Sequence, residues 1–151
     1  MLCVVGGSRV AVEFKYLVRG LEVVVGGEYF RLRDQGAQPL SRYDVVKDVE
    51  RLERFCADDR ADVGYAVVLS NDPQVWSPGR AGSIDEGFRM HDGATLSGTI
   101  GWAPHAGPGT TRGREKSIDL TGTYAVGWLP YPSMNADLQT AFKYLVVTVG
   151  A

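Results

Sequence analysis

Long apolar runs, a surplus of positive charge, metal-type cysteine spacing and paired histidines are all missing from this chain. Each absence closes off a class of function. No apolar stretch approaches the ~20 residues that cross a bilayer as a helix, so no membrane partner is expected. The opening Met1-Leu2-Cys3-Val4-Val5 has neither a basic leader nor a long apolar core and does not read as a secretory signal. The expected compartment is therefore the cytoplasm. The two cysteines, Cys3 and Cys56, fit no metal-ligand spacing and read as reduced packing residues. His91 and His105 lack partners at ligand spacing and read as a strand residue and a loop residue. A net charge of −2 argues against a protein that coats nucleic acid non-specifically, since neutralising phosphates takes clustered Lys and Arg. A local basic patch stays open.

What is present is ordinary for one globular domain. The chain has 151 residues, 44% apolar and 23% charged, long enough to bury a real core. Leu2–Val5 and residues 8–16 are β-prone runs on either side of Gly6-Gly7, a strong hairpin signal. Residues 21–33 read as a loop or a weak hairpin around Gly26-Gly27. A helix follows, with Ser41 as its cap and Asp44 completing a capping-box-like pair. Its apolar stripe is Val45, Val46, Val49, Leu52, Phe55 and Cys56. Its charges, Asp48 and Arg51 among them, read as a solvated face, and Asp58-Asp59 ends it. Residues 63–70 are nearly all apolar and read as a strand covered on both faces. Strand, helix, strand in this order implies a crossover and a mixed sheet.

The second half is richer in Gly, Pro, Ser and Thr. Residues 77–87 and 103–113 read as loops, 88–102 as a hairpin turning at Asp92-Gly93, and 118–128 and 142–149 as further strands. Trp102, Trp128, Tyr124 and Tyr144 are assigned to packing. The fold class is α/β (α+β): a single domain over 1–151, with a core over 1–73 and an antiparallel, β-rich extension over 88–151.

One strand carries the chemistry. In Arg9-Val10-Ala11-Val12-Glu13-Phe14-Lys15-Tyr16, Glu13 and Lys15 project from one face. Val10, Val12 and Phe14 then point the other way, into the expected core. A carboxylate and an amine side by side on an apolar strand are either solvated, paired or part of a site. The simplest alternative to a site is a same-face ion pair, worth ~0–1 kcal/mol if exposed.

Glu13-x-Lys15 on a hairpin strand, followed by a helix and an apolar strand, resembles the PD-(D/E)xK nuclease-like superfamily. Tyr43-Asp44-Val45-Val46-Lys47-Asp48, Leu69-Ser70-Asn71-Asp72-Pro73 and Gly113-Arg114-Glu115 look like blocks of an uncharacterised bacterial family of that fold. The resemblance implies a restriction-endonuclease-like core and magnesium-dependent hydrolysis of DNA phosphodiesters. Glu13 would be a metal ligand, the Phe14 backbone carbonyl a second one, and Lys15 the catalytic amine that orients the attacking water.

The family also implies an aspartate on the preceding strand, and no acid precedes Glu13. If Gly6-Gly7 is a two-residue turn, Val5 faces Ser8, Val4 faces Arg9, Cys3 faces Val10, Leu2 faces Ala11 and Met1 faces Val12. The position opposite Glu13 then falls one residue before Met1; a four-residue turn over residues 6–9 would instead put Leu2 there, again not an acid. The expectation is an N-terminally truncated form with weak activity or none, or else a non-catalytic DNA- or protein-binding module of the same fold. Truncation also implies an exposed sheet edge, an apolar patch and self-association.

Asp44, Asp48 and Asp72 are weighed as substitutes for the missing acid and take no site role. Asp44 reads as a helix N-terminal residue and Asp72 as a turn former before Pro73. Gln38 and Tyr43 resemble a glutamine–tyrosine motif of one branch of the superfamily, with the spacing one residue too long. Arg112, Arg114 and Lys116, beside a Gly-rich loop, are the candidate nucleic-acid contacts.

Overall fold

The computed structural model describes residues 1–131 and 142–150, and residues 132–141 and 151 of the expected extension lie outside the described part. β1 (Leu2–Val5) and β2 (Ser8–Leu17) form the expected hairpin. Gly6 and Gly7 take φ of 58° and 88°, the doubly positive turn whose twist matches its flanking strands. The two-residue turn sets the register Val5↔Ser8, Val4↔Arg9, Cys3↔Val10 and Leu2↔Ala11. Met1 and Val12 then exchange backbone bonds at 2.8 Å.

Of the two readings of residues 21–33, the hairpin is the one found. β3 (Leu21–Val25) and β4 (Glu28–Leu32) pair as a separate two-stranded sheet around Gly26-Gly27.

The long helix α1 spans Gln38–Ala57. Its start differs from the Ser41 cap expected. The helix begins four residues earlier, after Ala37 at φ 54°, with Pro39 in the first turn and no side-chain cap bond. Proline is pre-set for the first helical turn, and that preference outweighs the capping pair. Asp58 closes the helix and Asp59 leaves it at φ 55°.

β5 (Val63–Ser70) runs parallel to β2, with Glu13 opposite Ala66 and Lys15 opposite Val68. After a short helix α2 (Pro73–Trp76), a 3₁₀ turn spans Glu86–Phe88. β6 (Thr95–Ile100) pairs with β7 (Ile118–Ala125) across an irregularity at Ser97/Gly98, and α3 (Pro108–Thr111) lies between them. β8 (Leu129–Pro130) and β9 (Lys143–Val149) complete the described strands.

The main sheet has the order β1-β2-β5-β9-β8. It is mixed, with α1 crossing between β2 and β5, so the fold is α+β as expected. Two features of the second half depart from expectation. β9 does not belong to a separate extension, because it inserts antiparallel beside β5 in the main sheet. Residues 88–94 form no strand: Phe88 and Met90 are fully buried beside the 3₁₀ turn, and β6 starts only at Thr95. One continuous cluster runs from Ala11 through Val45, Val49, Leu52, Met90, Leu96 and Trp128 to Val149, which joins both halves.

α1 lies on one face of the sheet. Ala66, Val68, Leu145, Val147 and Val149 are buried beneath it. Gly64 leaves room for Leu52, whose Cβ would lie 3.0 Å from an added methyl group. Burial alternates strictly along β5, so this strand is covered on one face and not on both. The opposite face carries exposed Phe14 and Val146, with Val67, Leu69 and Tyr144 half-buried beside them. No helix among the described residues is long and apolar enough to cross a membrane.

Candidate functional site

Strand parity places Glu13 and Lys15 together, and the sheet decides which way they point. They share a face with Ala66 and Val68, so they lie on the side that α1 covers. The expectation for the other side chains fails at Phe14, while Val10 is buried and Val12 half-buried. Phe14 is 61% exposed on the open face and does not enter the core. Alternation fixes which residues go together, and only the long-range packing of α1 fixes which set is inside.

From α1, Asp48 and Arg51 meet this pair. Arg51 Nε donates to Glu13 Oε1 at 2.8 Å, and its Nη2 donates to Asp48 Oδ1 at 2.5 Å. Lys15 Nζ stands 3.2 Å from Asp48 Oδ2. Two carboxylates and two cations thus alternate in a linear chain, Glu13–Arg51–Asp48–Lys15. Asp48 is buried and not on a solvated helix face as the sequence suggested. Burial pushes its carboxyl above the usual range, Lys15 and Arg51 pull it back down, and Glu13 raises it slightly. The resemblance implies magnesium, which needs several oxygen ligands with open positions. Here both carboxylates already face cations, and no group of three or more His, Cys, Asp or Glu among the described residues could hold a metal. As placed, these residues do not fit the ion.

The sheet edge at the pair is also defined. β1 follows β2 only as far as Met1 opposite Val12. On the β1 side, no described residue pairs with Glu13. Among the described residues, β2 from Glu13 onward pairs with β5 alone.

The other candidates lie apart from this cluster. Asp44 makes no cap and instead receives Arg114 through Nε at 2.7 Å and Nη2 at 2.8 Å. Asp72 is the turn residue expected: it caps α2 by accepting from Gln74 N at 3.0 Å, and it also accepts from Gln38 Nε2 at 3.1 Å. Tyr43 is buried between Phe88 and Trp102 and donates its hydroxyl to the Lys116 carbonyl at 3.0 Å. Arg112 and Lys116 are exposed, while Arg114 is held against α1 and accepts the Trp102 indole N–H on its carbonyl at 2.6 Å. The basic trio therefore divides into two solvent-facing side chains and one that pins its loop to the helix.

Sequence reasoning missed three polar members of α1. Glu53 is buried and accepts from Thr121 N at 3.0 Å, Gly122 N at 2.8 Å and the Tyr124 hydroxyl at 2.8 Å. Asp48 and Arg51 are the other two. A signal for the acids existed. With ~100° of rotation per residue, Glu53 falls between Val46 and Val49 on the helix surface, and Asp48 borders Leu52. A charge inside an apolar stripe needs a partner.

No family model, no curated protein and no solved structure matches this chain.

Proposed function

We propose that this chain is a nuclease-like domain of the PD-(D/E)xK type that cleaves DNA weakly or not at all as it stands, and that keeps the fold for binding in the cytoplasm. The single observation that carries this reading is Arg51. Its guanidinium bridges Glu13 and Asp48, where a metal-dependent phosphodiesterase would need open carboxylate oxygens. Support for the ancestry comes from a hairpin strand bearing Glu13-x-Lys15, followed by a helix and a parallel neighbour strand, the arrangement that the resemblance implies.

The test is cleavage of supercoiled DNA in magnesium. Five proteins are compared: this chain, Lys15→Ala, Arg51→Ala, a chain extended by one aspartate before Met1, opposite Glu13, and the extended chain carrying Lys15→Ala. The expected result is no cleavage by this chain, with cleavage appearing only when the second acid is supplied or Arg51 is removed, and lost again with Lys15→Ala in that background. Efficient, Lys15-dependent cleavage by the unaltered chain would refute the reading.

A second reading, a protein-binding module that self-associates, is favoured by one observation. Phe14 and Val146 are exposed on the open sheet face, and Leu2, Val4 and Val5 are exposed on the edge strand. An uncharged apolar edge strand is a template for pairing with another chain. Sedimentation over a concentration series decides this: a monomer at every concentration, with DNA binding retained, leaves the first reading alone.

A further inference from the structure

We propose that the cavity beyond the C-terminal end of β5 is a binding site for a phosphate group, carried by a small phosphate monoester. The cavity measures about 310 Å³ and is lined by Pro73, Gln74, Ser77, Gly79, Arg80 and Arg89. No carboxylate is among these residues. Gln74, Ser77, Arg80 and Arg89 all offer side-chain donors, and none of the residues belongs to the Glu13 cluster.

The charge balance behind the wall points to an anion. Arg89 Nη2 donates to Asp85 Oδ1 at 3.2 Å and to Ser83 Oγ at 3.1 Å. The same Asp85 receives Arg42 Nη1 at 2.5 Å. One buried carboxylate therefore serves two guanidinium groups, and Arg42 is only 3% exposed. After burial itself, repulsion from Arg89 lowers the basicity of Arg42. Of the nearby acids, Asp72 offsets part of this at Arg42, but no carboxylate lines the cavity itself. Asp72 faces Gln38 and the Gln74 N–H, and Glu86 accepts from Gly82 N at 3.0 Å. Arg42 Nε and Arg89 Nε are both buried without an acceptor. Exposed Arg80 adds a second positive charge at the rim.

The site is also built in advance of any ligand. Gly79 takes φ 73° and passes so close to Arg89 that an added Cβ would lie 2.2 Å from Nη1. Only a glycine lets the loop lie along the guanidinium, and the loop in turn holds Arg89 at the cavity wall. Two arginines and a hydroxyl suit a tetrahedral oxyanion, and the volume falls in the range of small-molecule sites, with room for an esterified group. Ligands of sheets with parallel strands bind beyond the strands' carboxyl ends, which is where this cavity follows β5.

The test uses inorganic phosphate, by thermal unfolding and calorimetry, against chloride at equal ionic strength. Phosphate is expected to raise Tm saturably. Arg80→Ala should weaken the affinity about tenfold or more while leaving Tm in chloride unchanged, and Ser77→Ala should weaken it less. Arg89→Gln should abolish binding, but it also disturbs Asp85, so Arg80→Ala decides. A phosphate effect equal to that of chloride, or undiminished binding by Arg80→Ala, overturns the proposal. Displacement of phosphate by a phosphate monoester supports it, and displacement by duplex DNA alone overturns the small-molecule assignment. The outcome is independent of whether the chain cleaves DNA.

Discussion

Lys15 on β2 and Asp48 on α1 stand 3.2 Å apart, the ammonium 36% exposed and the carboxylate 6%. The pair spans strand and helix, so the amine that a nuclease-like site would aim at a phosphate is turned toward the protein. Arg51 in turn links Asp48 to Glu13.

Asp48→Asn should be neutral or stabilising at neutral pH, because burial holds the Asp48 carboxyl above its ordinary value of 3.8 despite two cationic neighbours. Lys15 and Arg51 are each more than a third exposed, so a neutral isostere at Asp48 avoids the carboxylate's desolvation without stranding a buried cation. The sign follows from proton linkage. Above pH 3.8 the native state holds more protons than the unfolded state, so stability falls as pH rises toward the native value. Urea unfolding across the acid range should show wild type losing ground to Asp48→Asn as pH rises. The opposite slope would contradict the assignment.

Glu53→Ala should be far more damaging, by ~2–4 kcal/mol in urea unfolding. It strands two backbone N–H groups of β7 and the Tyr124 hydroxyl, all of which now donate to this carboxylate. Glu53→Gln keeps one acceptor oxygen and should fall between. Burial, reinforced by Glu53, pushes the Tyr124 phenol above the ordinary value of 10.0. Phenolate absorbance should therefore show one tyrosine ionising after the rest, and Glu53→Gln should bring it earlier.

Asp85→Ala should cost ~3–5 kcal/mol, because it leaves a buried guanidinium without its counter-charge. Arg42 keeps only the Gln74 carbonyl at 2.7 Å. Adding Arg42→Met to Asp85→Ala should recover much of the loss. A double variant no better than the single one would show that the cost arises elsewhere.

Phe14→Ser should change stability by no more than ~0.5 kcal/mol, since the ring is mostly solvated. Leu52→Ala, fully buried against Gly64, should cost ~2–5 kcal/mol. Chemical denaturation of the two variants distinguishes the face that carries the core from the face that does not. If Phe14→Ser proves as costly as Leu52→Ala, the sheet faces are assigned the wrong way round.

The contrast between those two positions shows where sequence reading succeeds and stops. The β1–β2 hairpin was legible because two glycines mark a turn, with the register narrowed to two alternatives, of which the two-residue turn is the one found. The apolar stripe of α1 was legible because its period is local. Which face of β2 the helix would cover depended on contacts with β5, some fifty residues away, and alternation alone carries no such sign. The hairpin expected at Asp92-Gly93 failed for a related reason. Phe88 and Met90 enter the core through a 3₁₀ turn, and β6 finds its partner in β7 instead. Of the cluster, Glu13 and Lys15 were visible as a pair. Asp48 and Arg51 looked like ordinary helix charges until the strand beneath them was known.

Along its length, α1 sends a charged group to four different segments: Arg42 to Asp85, Asp44 to Arg114, Arg51 to Glu13 and Glu53 to the Gly122 backbone. Valines in an apolar stripe are interchangeable, so greasy packing alone would let a helix settle in neighbouring rotations. These four contacts are not interchangeable, and a roll by one residue, ~100°, would break all of them together. The helix behaves as a key with one orientation. A charge change at Arg42, Asp44 or Arg51 is therefore tolerated chiefly when its counterpart, 38 to 70 residues away, changes with it, and relatives of this chain should carry such substitutions as matched pairs.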